Sequence, residues 1–159
     1  MNQYGTLHET NGNYTLRFER FFSLNPEDVF DVITNSDYFT QWYPFATGEM
    51  DLRLGGEINF DDGEGTTYNA IITELEKPYL FSFREVDDLI NISLLEEDEG
   101  CRMIFTHTFN DDSWAIPTAA GWHRCLDVLG QIVNGNPVKW DDNAAKLREI
   151  YSEAFQMEN

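Results

Sequence analysis

Few side chains in this sequence are suited to moving protons, attacking a substrate or holding a metal. Its 159 residues include 3 histidines and 2 cysteines beside 29 Asp and Glu. His107 stands out by its position. In "MIFTHTF" it alternates with Met103, Phe105 and Phe109 on the more apolar face, while Thr106 and Thr108 face the other way. A histidine aimed into an apolar interior can orient a polar ligand group, or act as acid or base near neutral pH. It can equally be a core histidine satisfied by a neighbouring hydroxyl or carbonyl. Both readings stay open at this level.

The other combinations fail on spacing. His123 and Cys125, two apart on a helix, point in different directions and make no thiol–histidine dyad. His123 and Asp127, four apart, read as a surface pair. Cys101 and Cys125 have neither metal-ligand spacing nor a disulfide framework, so they read as free thiols of a reducing compartment. "DDGEG" at Asp61–Gly65 has the carboxylates of a calcium loop without its alternating ligands and distant Glu, and reads as a hairpin turn. There is no H-x-x-x-H, phosphate loop, nucleophile elbow or dinucleotide fingerprint. Neither a metal nor a cofactor is expected.

Charge narrows the partners. Ten Lys and Arg against 29 acids leave a net charge of −19. Without a basic patch to neutralise phosphates, nucleic acid and anionic membrane surfaces are disfavoured. No apolar run reaches the length of a membrane span. The opening "MNQYGTLHETNGNY" lacks the basic and apolar regions of an export leader, so a cytoplasmic location is expected. The 42% apolar and 14% aromatic content is that of a globular chain, expected as one domain over 1–159 with a core at about 14–135.

The elements that must position His107 follow from periodicity. The first dozen residues are polar and read as loose. "YTLRFERFF" alternates as a half-buried strand, with Leu16 and Phe18 on one side and Arg17 and Glu19 on the other. "NPEDVFDVIT" starts a helix, with Asn25 as N-cap, Pro26 at N1 and acids in the first turn. A second short helix follows from Ser36 and stops before Pro44. "LGGEINF", "TTYNAIITELE", "YLFSFREV", "LINISLLEE" and "CRMIFTHTF" are strand-length segments separated by turns, which predicts an antiparallel meander. A long helix then carries Ala119, Trp122, Leu126, Leu129 and Val133 as its apolar stripe, with His123, Arg124, Asp127 and Gln131 opposite. Pro117 is placed near its start, after a turn capped by Ser113, and Gly135 at C′. A C-terminal helix at about 141–156 presents Leu147, Ile150, Tyr151 and Ala154. The class is α+β, with six to seven strands.

Several strings, in order, carry a resemblance: "FTQWYPF", "LGGEINF", "ITELEKPYLFSF", "MIFTHTF" and "AAGWHRCLDVL". From about Tyr14 to Asn134 the chain resembles the activator of Hsp90 ATPase homologue 1-like group of the START-like (Bet v 1-like, SRPBCC) superfamily. The resemblance implies a helix-grip fold, in which a curved antiparallel sheet wraps a long C-terminal helix over a cavity for an apolar small molecule. Gly121 would then let the helix backbone approach its neighbours closely, with Trp122 as wall or lid. The expected lining is Trp42, Phe60, Phe83, Phe105, His107, Trp122 and Leu126, the aromatics supplying apolar area and His107 the orienting hydrogen bond. The same aromatics also fit a filled core. Two alternatives go with the superfamily: a chaperone-linked protein-interaction module, and a cyclase- or hydrolase-like enzyme acting through His107.

Overall fold

The computed structural model describes residues 3–156. The outermost residues of the expected 1–159 span, 1–2 and 157–159, lie outside the described residues. Eight strands form one antiparallel sheet in the order β1-β2-β8-β7-β6-β5-β4-β3. The strands are β1 (Thr6–Thr10), β2 (Asn13–Phe22), β3 (Ala46–Met50), β4 (Glu57–Asp61), β5 (Thr67–Glu76), β6 (Leu80–Glu85), β7 (Asp88–Glu97) and β8 (Gly100–Phe109). The strand count exceeds expectation through β1 and β3. β1, inside the stretch read as loose, pairs with β2 from Thr6↔Arg17 to Thr10↔Asn13.

Between β2 and β3 lie helices α1 (Pro26–Thr34) and α2 (Ser36–Trp42). Asn25 caps α1 by accepting from the Asp28 N–H at 2.9 Å, and Asn35 caps α2 from Asp37 at 3.0 Å. After a short 3₁₀ turn (Asp112–Trp114), helix α3 runs Ala115–Val133 and α4 runs Ala144–Phe155. Helix α3 begins two residues before Pro117, a position where proline's missing N–H leaves no helical bond unmade. Asp111, not Ser113, caps the preceding turn, with Oδ1 3.0 Å from the Ser113 N–H. Helix α3 ends as expected at Gly135, whose φ is +73°. The Gly135 N–H donates to the Ile132 carbonyl and the Asn136 N–H to that of Gln131, closing the last turn.

The core lies between the sheet and α1–α3. The pleat sends Leu16 and Phe18 of β2, Ile90 and Ile92 of β7, and Phe105 and His107 of β8 to one face. His107 is flanked there by its register partners Leu16 and Ile90. The α3 stripe Ala119, Trp122, Leu126, Leu129 and Val133 is buried as its spacing predicted. Helix α4 covers a second face of α3 through Leu147 and Tyr151, while Ala154 stays exposed.

Candidate functional site

Helix α3 turns Trp122 toward the sheet, where its ring centroid lies 4.9 Å from Phe105 and 5.2 Å from Tyr43. Its indole Nε1–H donates to His107 Nδ1 at 2.9 Å, and His107 Nε2 lies 2.9 Å from Asp88 Oδ2. An indole nitrogen only donates, so Nδ1 must present its lone pair. The proton therefore sits on Nε2 and is donated to Asp88. Both ring nitrogens are engaged, one from helix α3 and one from the start of β7. Asp88, with 41% of its side chain exposed, carries this polar chain outward.

Two grooves meet this unit. The larger, of about 480 Å³, opens over the middle of α3. Phe45, Trp122 and Trp140 supply its rings, Thr118 and Gly121 its helix side, and Arg124 and Cys125 its flank. Phe45 is 53% exposed and Trp140 44%, a large apolar area to leave in water. Phe45 also holds φ +65°, a left-handed conformation uncommon for an aromatic residue. The smaller groove, of about 130 Å³, reaches His107 past Asp88, Phe109, Trp114 and Thr118.

Gly121 does not serve close packing. A Cβ built there would meet nothing within 4 Å, and the residue is exposed on the groove floor beside Trp122. The expectation of a close backbone approach is corrected on that point: the glycine leaves space open.

The seven expected lining residues all lie in the core between sheet and helices. Trp42, Phe60, Phe83, Phe105 and Leu126 are fully buried. Ring contacts run from Phe39 to Phe60 and Phe83, and from Tyr43 through Trp122 to Phe105, at centroid separations of 4.9–6.5 Å. Trp122 and His107 also border the open grooves. The buried Trp42 Nε1–H has no acceptor among the described residues. The Tyr43 hydroxyl donates to Glu85 Oε2 at 2.8 Å; burial first, then this carboxylate, hold its proton well above the usual phenol range.

His123 is buried at 3% exposure, which overturns its placement on a surface face. Helix α4 lies against it. The Tyr151 hydroxyl accepts from the Gly5 N–H at 2.8 Å and sits 2.8 Å from His123 Nδ1. His123 Nε2 lies 3.6 Å from Asp127, which accepts from Arg20 at 2.8 Å. Burial lowers the His123 pKa, with the Asp127 carboxylate opposing and the Arg20 charge reinforcing. This array joins the N-terminal segment, β2, α3 and α4, and sequence periodicity missed it because its partners come from four distant segments.

The thiols are not poised as nucleophiles. Burial pushes Cys101 up to about 11 and Cys125 up to about 12. At the turn after β4, Asp61 and Asp62 accept from the N–H groups of Gly63, Glu64 and Thr66, so these carboxylates serve the hairpin. Among the described residues, no group of three or more His, Cys, Asp or Glu converges to hold a metal ion. Nor is any helix among them long and apolar enough to cross a membrane.

An eight-stranded antiparallel sheet gripping a long C-terminal helix is the helix-grip architecture of START-like proteins. The family described as "Activator of Hsp90 ATPase homolog 1-like protein" matches residues 23–134, and the chain belongs to that family. Among solved structures, it is similar to the conserved protein of unknown function EF2215 from Enterococcus faecalis. That match has a TM-score of 0.84 at 20% identity, over 98% of this chain and 92% of that one. CalU16 from Micromonospora echinospora gives 0.74 at 17% identity, over 98% and 95% of the two chains. The Aha1 dimer from Colwellia psychrerythraea gives 0.63 at 16%, over 75% and 95%. These identities support the fold alone. No curated protein matches the chain.

Proposed function

We propose that this protein binds a hydrophobic or amphipathic small molecule between the sheet and α3, as a carrier or sensor. The ligand enters over Gly121 and rests on Trp122. Phe60, Phe83, Phe105, Trp42 and Leu126 back that wall with apolar area, and His107 holds Trp122 in place. One observation carries the reading: an open groove of about 480 Å³ over a helical glycine, walled by half-exposed Phe45 and Trp140. Its size falls within the range of small-molecule sites, and its walls are mainly apolar with few polar groups. An interior glycine costs a helix about 1 kcal/mol against alanine, a cost that no packing contact here explains.

The test is an NMR titration of labelled protein against fatty acids, flavonoids, sterols and polyketide-like aromatics. Shifts centred on Thr118, Gly121, Trp122 and Trp140 are expected. Absence of shifts across the panel would contradict small-molecule binding.

Family membership favours a second reading. The family name refers to activation of the Hsp90 ATPase, and the exposed Phe45 and Trp140 rings suit a protein surface as well. Retention of this protein by immobilised Hsp90, lost in Phe45→Ser/Trp140→Ser, is the outcome that would favour it. Chemistry through His107 is the weakest reading, because neither ring nitrogen is free to take a substrate proton.

A further inference from the structure

Arg124 is the charged side chain among the residues that line the groove. Arg17, Arg20, Arg53 and Arg102 each pair with a carboxylate at 2.6–3.2 Å. Arg124, like Arg84 and Arg148, pairs with none within 4 Å among the described residues, but it alone of these three lines the groove. Its guanidinium lies 5.6 Å from the centre of the Trp140 ring, and its Nε and Nη2 both donate to the Asp141 carbonyl, at 3.3 and 3.0 Å. Stacking and backbone bonds thus hold the fork in place without neutralising it. Among the described residues its Nη1 makes no bond of its own.

The segment carrying Trp140 and Asp141 is itself fastened to α3. Gln131 accepts from the Lys139 N–H at 2.7 Å and donates to the Lys139 carbonyl at 3.0 Å. The aromatic wall and the cation are therefore set side by side by fixed geometry. We infer that the groove selects an amphipathic monocarboxylate, its apolar body against Phe45, Trp122 and Trp140 and its carboxylate on Arg124. This rests on the groove being the binding site. A carboxylate fits better than a dianionic phosphate, because Asp127 and Asp141 stand near Arg124 and one guanidinium offsets only one charge.

Calorimetric titration with decanoate, decanol and decylammonium, equal in chain length, tests the choice. Decanoate is expected to bind at least ten-fold more tightly than the other two. Arg124→Gln should reduce that preference to near parity, and Arg124→Glu should shift it toward decylammonium, with folding checked by circular dichroism. Gln131→Ala loosens the Trp140 segment that forms the apolar wall without changing charge, so it should weaken all three probes. Equal binding of decanol and decanoate, or a preference that survives Arg124→Gln, would overturn the assignment while leaving the groove as a binding site. Failure of all three probes to bind would remove the groove reading along with it.

Discussion

Trp122 and His107 form the unit whose chemistry is most constrained. The indole donates to Nδ1, and the imidazole donates onward to Asp88, so the tautomer is fixed by partners on two elements. Trp122→Phe keeps a ring in place but leaves Nδ1 without a donor in a nearly buried site. A loss of about 1–3 kcal/mol is expected from denaturant midpoints, reduced when His107 is also replaced by Phe. His123 provides a separate signal. Burial lowers its pKa in the folded chain, so the unfolded chain takes up a proton first as pH falls. The stability this site contributes is complete above roughly pH 6.5 and declines as the pH drops below that value. Thermal unfolding at pH 5 and 7 should show the decline, and His123→Gln should diminish it. Neither role was visible in the sequence. Alternation put His107 on the correct face, but its partner Trp122 came from a helix, and no spacing rule links the two.

Among the elements, helix α3 explains both what the sequence disclosed and what it concealed. Its apolar stripe was legible because Ala119, Trp122, Leu126, Leu129 and Val133 follow helical spacing against one surface. The burial of His123 was not, because α4 supplies a second surface and a polar residue there gives no hydrophobic signal. β2 was legible from alternation, and the five meander strands from their length and the turns between them. β1, by contrast, is an edge strand with only one residue, Leu7, partly covered, and β3 has no fully buried residue. β1 therefore shows no period-two pattern, while β3 alternates but turns only Ala46, Gly48 and Met50 inward, half-covered and mostly small, so its apolar signal is weak. Gly121 gives the sharpest test of an element. Gly121→Ala meets no obstacle and should stabilise the protein by up to about 1 kcal/mol, read as a higher unfolding midpoint. Destabilisation by alanine would mean that the backbone there needs the freedom of glycine.

Taken as a whole, the molecule carries a net charge of −19. Such self-repulsion works against the compact state and is screened by salt. The unfolding temperature should therefore rise between low ionic strength and about 0.5 M sodium chloride, where the Debye length falls to a few ångströms. A flat response would mean that local pairs such as Arg102 with Glu19 and Glu97 already offset the repulsion. The same field bears on ligand choice: on so acidic a surface, Arg124 places a cation beside the three aromatic rings of the groove. Net charge and architecture were legible in the sequence. The groove was not, because Phe45, Gly121 and Trp140 are far apart in the chain and only the folded connections assemble them.

Whether the space above Gly121 admits a ligand is decided most directly by comparing Gly121→Phe with Gly121→Ala. Each would be titrated by calorimetry with the tightest binder from the NMR panel. Alanine is expected to keep wild-type affinity within a few-fold, while phenylalanine lowers it at least ten-fold without lowering the unfolding midpoint. Undiminished binding by a folded Gly121→Phe protein would contradict a ligand site in that space.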